Sequence, residues 1–235
     1  MSLPYFYQEG IYTQGVLILN EETSKHCIQV LRMKTGEHLQ LTDGKGGLHK
    51  ATITREDKRH CEVAIIESTF QEKKGREVCI GISLLKNASR LEWFLEKSTE
   101  MGTSEIIPLL CDRTEKQHFR FDRMQNILIA AMLQSQQTWL PILHQPTNAK
   151  EIITTSVYPQ KLIAHCEETT KQSIPSLEIN NNVQILIGPE GDFSSAEINL
   201  ALQNGYLPTS LGDTRLRTET AGMVAAALLM YANLT

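Results

Sequence analysis

Two short segments near the C-terminus hold the side chains best placed to do chemistry. In Leu211-Gly212-Asp213-Thr214-Arg215-Leu216-Arg217-Thr218-Glu219-Thr220-Ala221, two arginines, a glutamate and several threonines stand between an apolar strand and an apolar, small-residue helix. Polar groups that dense beside a core must hydrogen-bond to one another or to a bound molecule. One reading is purely structural, with Thr218 as helix cap and Arg217 and Glu219 as an ion pair. The second segment, Ile187-Gly188-Pro189-Glu190-Gly191-Asp192-Phe193-Ser194, runs from a strand through a turn into a helix start. Ligands of open α/β sheets collect at the carboxyl ends of strands. Glycines there let backbone amides approach, and a helix start adds partial positive charge. Together the segments suggest an anionic or nucleotide-like ligand, although a tight turn without any ligand accounts for the second one equally well. Neither GxGxxG nor GxxxxGK[ST] occurs, which excludes the usual dinucleotide and P-loop sites.

These segments need a sheet to hold them. From Val78 onward the pattern alternates: strand Val78 to Leu85, helix Leu91 to Met101, strand Ile106 to Leu110, helix Arg123 to Thr138, strand Leu162 to Ala164. It continues with strand Val183 to Ile187, helix Ser194 to Asn204 with a Ser194/Glu197 capping box and a stop at Gly205, strand Leu207 to Leu211 and helix Thr218 to Tyr231. Such alternation predicts an α/β layer with a mainly parallel sheet. The Ala/Gly face of the last helix permits close packing against the core or a second subunit.

The first seventy residues differ. Short alternating runs such as Val16 to Leu19, His38 to Leu41 and Cys61 to Ile66 predict a small β-barrel, with a tight turn at Asp43-Gly44-Lys45-Gly46-Gly47 and one short helix between Ser24 and Arg32. The polar stretch Glu67 to Glu77 reads as a linker, so the boundary is set between domains 1–71 and 72–235.

Composition agrees with a packed globular protein, at 41% hydrophobic and 21% charged residues. No long apolar span or leader pattern stands out, so a cytoplasmic protein is expected. The five cysteines lack a CxxC pair and read as reduced, mostly buried thiols. The seven histidines show no metal-ligand spacing, and no metal is expected. A net charge of −4 argues against coating nucleic acid by bulk electrostatics. Residues 1–120 balance 17 basic against 17 acidic side chains while the remainder holds 6 against 10, which assigns any RNA surface to the N-terminal half.

The two C-terminal motifs, IGPEGDFSSAEI and LGDTRLRTETAGMVAAALL, closely resemble those of the ribosomal RNA small subunit methyltransferase E family, within the SPOUT superfamily. His26 to Arg32 with Gly36 and Asp43-Gly44 is similar to that family's helix and hairpin in a PUA-like barrel, and Glu96 to Gly102 through Pro108 to its central segment. The resemblance implies a PUA-like barrel before an α/β domain with a C-terminal trefoil knot. It also implies S-adenosylmethionine as cofactor, methylation at N3 of a uridine in 16S ribosomal RNA, and a homodimer. Cofactor contacts would come, chiefly through backbone, from His165, Cys166 and Glu167, from Gly188, Pro189, Glu190 and Gly191, and from Leu211, Gly212, Leu216, Thr218 and Ala221.

Uracil N3 is a poor nucleophile until its proton leaves or charge on O2 and O4 is stabilised. Arg217 is the first candidate for that stabilisation, and Glu219 and Glu190 are the candidate bases. Arg32, Lys34, Lys45, Lys50, Lys86 and Arg90 are the expected phosphate contacts. Many relatives carry a second glycine at Asp192, an aliphatic residue at Arg215 and an arginine at Gln137. A non-catalytic RNA-binding assembly factor, or a sibling acting on transfer RNA or a ribose 2′-hydroxyl, are the alternatives.

Overall fold

In the N-terminal part, β1 (Tyr5–Tyr7), β2 (Val16–Ile18), β3 (His38–Thr42), β4 (Gly47–Arg55) and β5 (Glu62–Phe70) form a five-stranded sheet in the order β1-β3-β4-β5-β2. The computed structural model describes residues 3–11, 15–73, 75–115 and 118–231. Leu39, Leu41, Ala51, Ile53 and Val63 alternate inward and build the core of this part. Register shifts between Lys50 and Ala51 and between Ile53 and Arg55 bend β4 around that core.

The expected tight turn joins β3 to β4, with the Asp43 carboxylate accepting the amides of Lys45 at 2.8 Å and Gly47 at 3.0 Å. Gly46 is required by close approach, since a Cβ there would lie 2.7 Å from the Trp139 ring and 2.8 Å from Phe70. The short helix begins earlier than expected, at α1 (Glu21–Lys25), because Asn20 caps it by accepting the Thr23 amide. It then widens into a π-helical turn over His26–Val30 and stops at Arg32, whose φ is 56°.

Two compact units emerge, one of Met1–Lys74 with Met132–Leu140 and one of Gly75–Ala131 with Pro141–Thr235. The 132–140 segment groups with the first unit through backbone bonds from Gly46 to the Thr138 carbonyl and from Leu140 to Gly44, and through the Trp139 indole on the Gln71 carbonyl. The start of the expected linker is instead the end of β5, where Phe70 packs edge-on to Trp139.

The second unit contains β6 (Val78–Ser83), α2 (Ala88–Glu100), β7 (Glu105–Leu110), α3 (Phe121–Gln134), β8 (Ile142–Leu143), β9 (Thr147–Asn148), α4 (Ala149–Thr155), β10 (Gln160–Ala164), β11 (Gln172–Ser173), β12 (Val183–Ile187), α5 (Ser195–Gln203), β13 (Leu207–Ser210) and α6 (Thr218–Tyr231). Of α3, only the last three residues belong to the first unit rather than to this one. Its strands pair in parallel in the order β11-β13-β10-β12-β6-β7-β8, with β9 beside β7. Every residue of β6 and β12 is buried, as central strands covered on both faces require. The Ser194/Glu197 capping box is present, and α5 ends before Gly205 at φ +80°. Among the described residues, no helix is long and apolar enough to cross a membrane.

The small-residue face of α6 is used inside the chain. Gly222, Ala225, Ala226 and Leu229 are buried, and a Cβ on Gly222 would lie 2.7 Å from the Phe94 ring and 2.8 Å from Ile82. The core takes this face.

Candidate functional site

Because β13, β10 and β12 are parallel neighbours, the loops following Ala164, Ile187 and Ser210 leave the sheet at one edge. They enclose a cleft of about 690 Å³, joined by the starts of α2 and α6. Of the residues expected to hold a ligand, His165, Cys166, Gly188, Pro189, Glu190, Leu211, Gly212, Leu216, Thr218 and Ala221 line it. Asp192, Arg215 and Arg217 line it too.

Two of the expected residues lie off the cleft. Glu167 accepts a hydrogen bond from the Ser195 hydroxyl at 2.6 Å, which ties its loop to the start of α5. Gly191 turns its carbonyl to the Arg113 guanidinium at 2.8 Å, which also reaches the Phe193 carbonyl at 3.3 Å.

The loops are tied to one another. The Thr218 hydroxyl donates to the Gly188 carbonyl at 3.0 Å, and the Asp192 carboxylate accepts the Cys166 amide at 2.7 Å and the Phe193 amide at 2.8 Å. Asp192 sits at φ +64°, a left-handed conformation that glycine adopts freely and aspartate tolerates better than most. The Cys166 amide, expected to face a ligand, is therefore occupied. The helix α6 starts with the Arg217 carbonyl accepting the Ala221 amide, so Thr218 is its first residue rather than an accepting cap.

Charge is distributed unevenly. The expected Arg217–Glu219 pair is not formed. Glu219 faces Arg90 of α2, Oε1 to Nε 3.6 Å, while Arg90 Nη1 donates to Glu190 Oε1 at 3.1 Å. Glu219 is almost wholly buried behind Arg90, whereas the Glu190 side chain is 49% exposed. Arg217 is exposed and makes no ion pair among the described residues. Arg90, read from sequence as a phosphate contact, thus belongs to the cleft wall.

His165 is buried, and neither ring nitrogen finds a hydrogen-bond partner among the described residues. Burial, reinforced by Lys171, pushes its pKa below the ordinary histidine value, so the ring is neutral near pH 7. A neutral imidazole with both nitrogens unspent is equipped to receive a ligand's donor or acceptor. The other orphaned atom here is Glu219 Oε2.

Elsewhere, Lys34 pairs with Glu56 and Lys86 with Glu115, both at exposed positions. Arg32 and Lys45 are exposed and Lys50 half-buried. Gln137 donates to the Ser135 hydroxyl, and its carbonyl accepts from Tyr5. All five cysteines are free, four of them buried, and burial pushes the Cys27 and Cys111 thiols up to about 12. No cluster of three or more His, Cys, Asp or Glu suited to a metal ion occurs among the described residues.

Sequence reasoning missed Arg90 and Lys171 as cleft residues. Arg90 had one available signal, its place in the first turn of a helix that follows a mostly apolar strand. That β6 lies beside β12 was not readable, and this adjacency carries the start of α2 to the cleft.

A family model described as an RNA methyltransferase domain matches residues 71–230, and one described as an RNA methyltransferase PUA domain matches residues 19–66. The chain is 32% identical over 213 residues to the ribosomal RNA small subunit methyltransferase E of Synechocystis, covering 86% of this chain and 69% of that one. The crystal structure of the enzyme of that name from Neisseria gonorrhoeae, bound to S-adenosyl methionine, superimposes with a TM-score of 0.85 at 27% identity over 96% of each chain. A Legionella pneumophila structure holding the same cofactor matches with a TM-score of 0.89 at 31% identity, over 99% of this chain and 98% of that one. Matched along both its parts, and carrying its cleft where the strand-end motifs lie, the chain belongs to the ribosomal RNA small subunit methyltransferase E family.

Proposed function

We propose that this chain is an S-adenosylmethionine-dependent methyltransferase acting on N3 of a uridine in 16S ribosomal RNA. The observation that carries this reading is the single cleft built by three adjacent strand-end loops, in a chain that aligns end to end with cofactor-bound relatives. Its residues fit such a cofactor: the unspent ring nitrogens of His165 suit a polar, uncharged group, and the loop backbones from Gly188 to Glu190 and Leu211 to Leu216 line the same space. When bound, the cofactor supplies an electrophilic methyl on a sulfonium.

The chain must then align donor and acceptor, since displacement at carbon is in-line. It must also remove a proton from N3 and hold the charge left on the carbonyl oxygens. Arg217, free and exposed at the cleft, is assigned to one carbonyl. Of the two candidate bases, Glu190 lines the cleft and Glu219 does not, which favours Glu190. N3 is a pairing position, so the target uridine is bound unpaired or flipped out.

The proposal extends to domain 1–71 as a PUA-like RNA-binding part using Arg32, Lys34, Lys45 and Lys50, with Lys86 from domain 72–235. It also includes a trefoil knot in the second domain, a homodimer and a cytoplasmic location, each resting on kinship. Isothermal titration with S-adenosylmethionine, followed by methyl transfer to isolated small ribosomal subunits, tests the reading. Binding with transfer to 16S RNA is expected; absent binding, or RNA binding without transfer, defeats it.

A further inference from the structure

Arg90 stands between two carboxylates that differ in every respect that matters for exchange. Glu219 projects from the first turn of α6 with only 8% of its side chain exposed, and its second oxygen has no partner among the described residues. A buried carboxylate stripped of its cation is strongly unfavourable, so Glu219 holds Arg90 in place. Glu190 is half exposed, and ion pairs of that kind contribute little. The first contact is an anchor and the second is replaceable.

Packing fixes the anchor. Gly222 lets the Phe94 ring approach α6 at a distance no side chain allows. Glu219 lies three residues before Gly222 and Arg90 four before Phe94, so the same contact that joins α6 to α2 sets the guanidinium against the carboxylate, one turn nearer the cleft.

Resting on the proposed function, we infer that Arg90, positioned by Glu219, donates to the carbonyl edge of the acceptor base, while Glu190 leaves its guanidinium and takes the N3 proton. When Glu190 leaves, Arg90 Nη1 is freed as a donor while Nε stays on buried Glu219. That donor suits a base edge that is neutral on arrival and acquires charge only as the reaction proceeds. In the step, the N3–H bond breaks to the Glu190 carboxylate, N3 bonds to the methyl carbon, and the carbon–sulfur pair stays on sulfur. Sulfonium, carboxylate and neutral base become thioether, carboxylic acid and methylated base, and half-exposed Glu190 returns its proton to water. Arg90 and Arg217 then serve the two carbonyls flanking N3.

The test uses the full chain, S-adenosylmethionine and small ribosomal subunits. Wild-type transfer to 16S RNA is the first arm, and its failure defeats the underlying function rather than this inference. Arg90→Ala is expected to lower kcat at least a hundredfold with the cofactor Kd within threefold, and added guanidinium should restore part of the rate. Glu190→Gln should lower kcat comparably without rescue by guanidinium. Glu219→Gln should lower kcat at unchanged cofactor Kd, as loosened positioning requires. A tenfold rise in cofactor Kd with kcat retained at saturation would assign Arg90 to the cofactor and overturn the inference, as would turnover within twofold of wild type. If Arg90→Ala does not fold, neutral Arg90→Gln is read by the same criteria.

Discussion

The Asp192 carboxylate grips the backbone amide of Cys166 at 2.7 Å across the cleft wall, from a residue at φ +64°. Backbone strain and a stabilising tie oppose each other at this position. Asp192→Gly loses a tie to a charged acceptor worth about 2 kcal/mol but relieves about 1 kcal/mol of strain, so its stability should fall by only about 1 kcal/mol. Asp192→Ala loses the tie and keeps the strain, and should fall by about 2 kcal/mol. In both, cofactor affinity should drop several-fold because the 165–166 loop is released. Urea denaturation and calorimetric titration read the two effects, and unchanged affinity in both variants would separate the tie from binding.

Gly222→Ala places a methyl 2.7 Å from the Phe94 ring, itself fully buried and unable to retreat. A loss of about 1–3 kcal/mol is expected from overpacking, measured by the denaturant midpoint. Turnover should fall as well, since the same contact sets Arg90 against Glu219.

His165 links stability to pH. Burial holds its folded-state pKa below the unfolded value of 6.5, so the unfolded chain binds the proton more readily. Stability is fully present above about pH 6.5 and is lost as pH falls below that, until the folded-state pKa is passed. His49, also shifted down by burial, adds a slope of the same sign. His165→Phe should flatten part of this slope in thermal melts at pH 5 to 7.5 and weaken cofactor binding about tenfold, by analogy with other lost polar contacts. An unaltered slope would exclude His165 as its source.

How much of this was readable beforehand depends on the length scale of the cause. The strand Val183–Ile187, the Ser194/Glu197 box and the helix Thr218–Tyr231 match their sequence signals because local pattern determines them. The π-helical turn at His26–Val30 and the return of 132–140 to the first unit have no local signature, since each is settled by partners distant in sequence. The cleft followed the same division. Its loops were legible from glycines at strand ends, but Arg90 was read as an RNA phosphate contact because only the β6–β12 pairing brings it to the cleft, and the Arg217–Glu219 pair gave way to Arg90 for the same reason.

Arg217→Ala should leave the cofactor Kd within a few-fold and lower turnover a hundredfold or more, as loss of one charge-stabilising donor does, roughly 3 kcal/mol of transition-state stabilisation. Titration calorimetry and single-turnover methyl transfer check it; unchanged turnover would remove Arg217 from the chemistry.

The central claim is most directly tested by mass spectrometry of nucleosides and mapped fragments of 16S ribosomal RNA from a strain lacking this gene. The account predicts loss of one base methyl at uridine N3, restored by the wild-type chain. An intact N3-methyluridine in that strain, or a methyl lost instead from transfer RNA or a ribose 2′-hydroxyl, would contradict it.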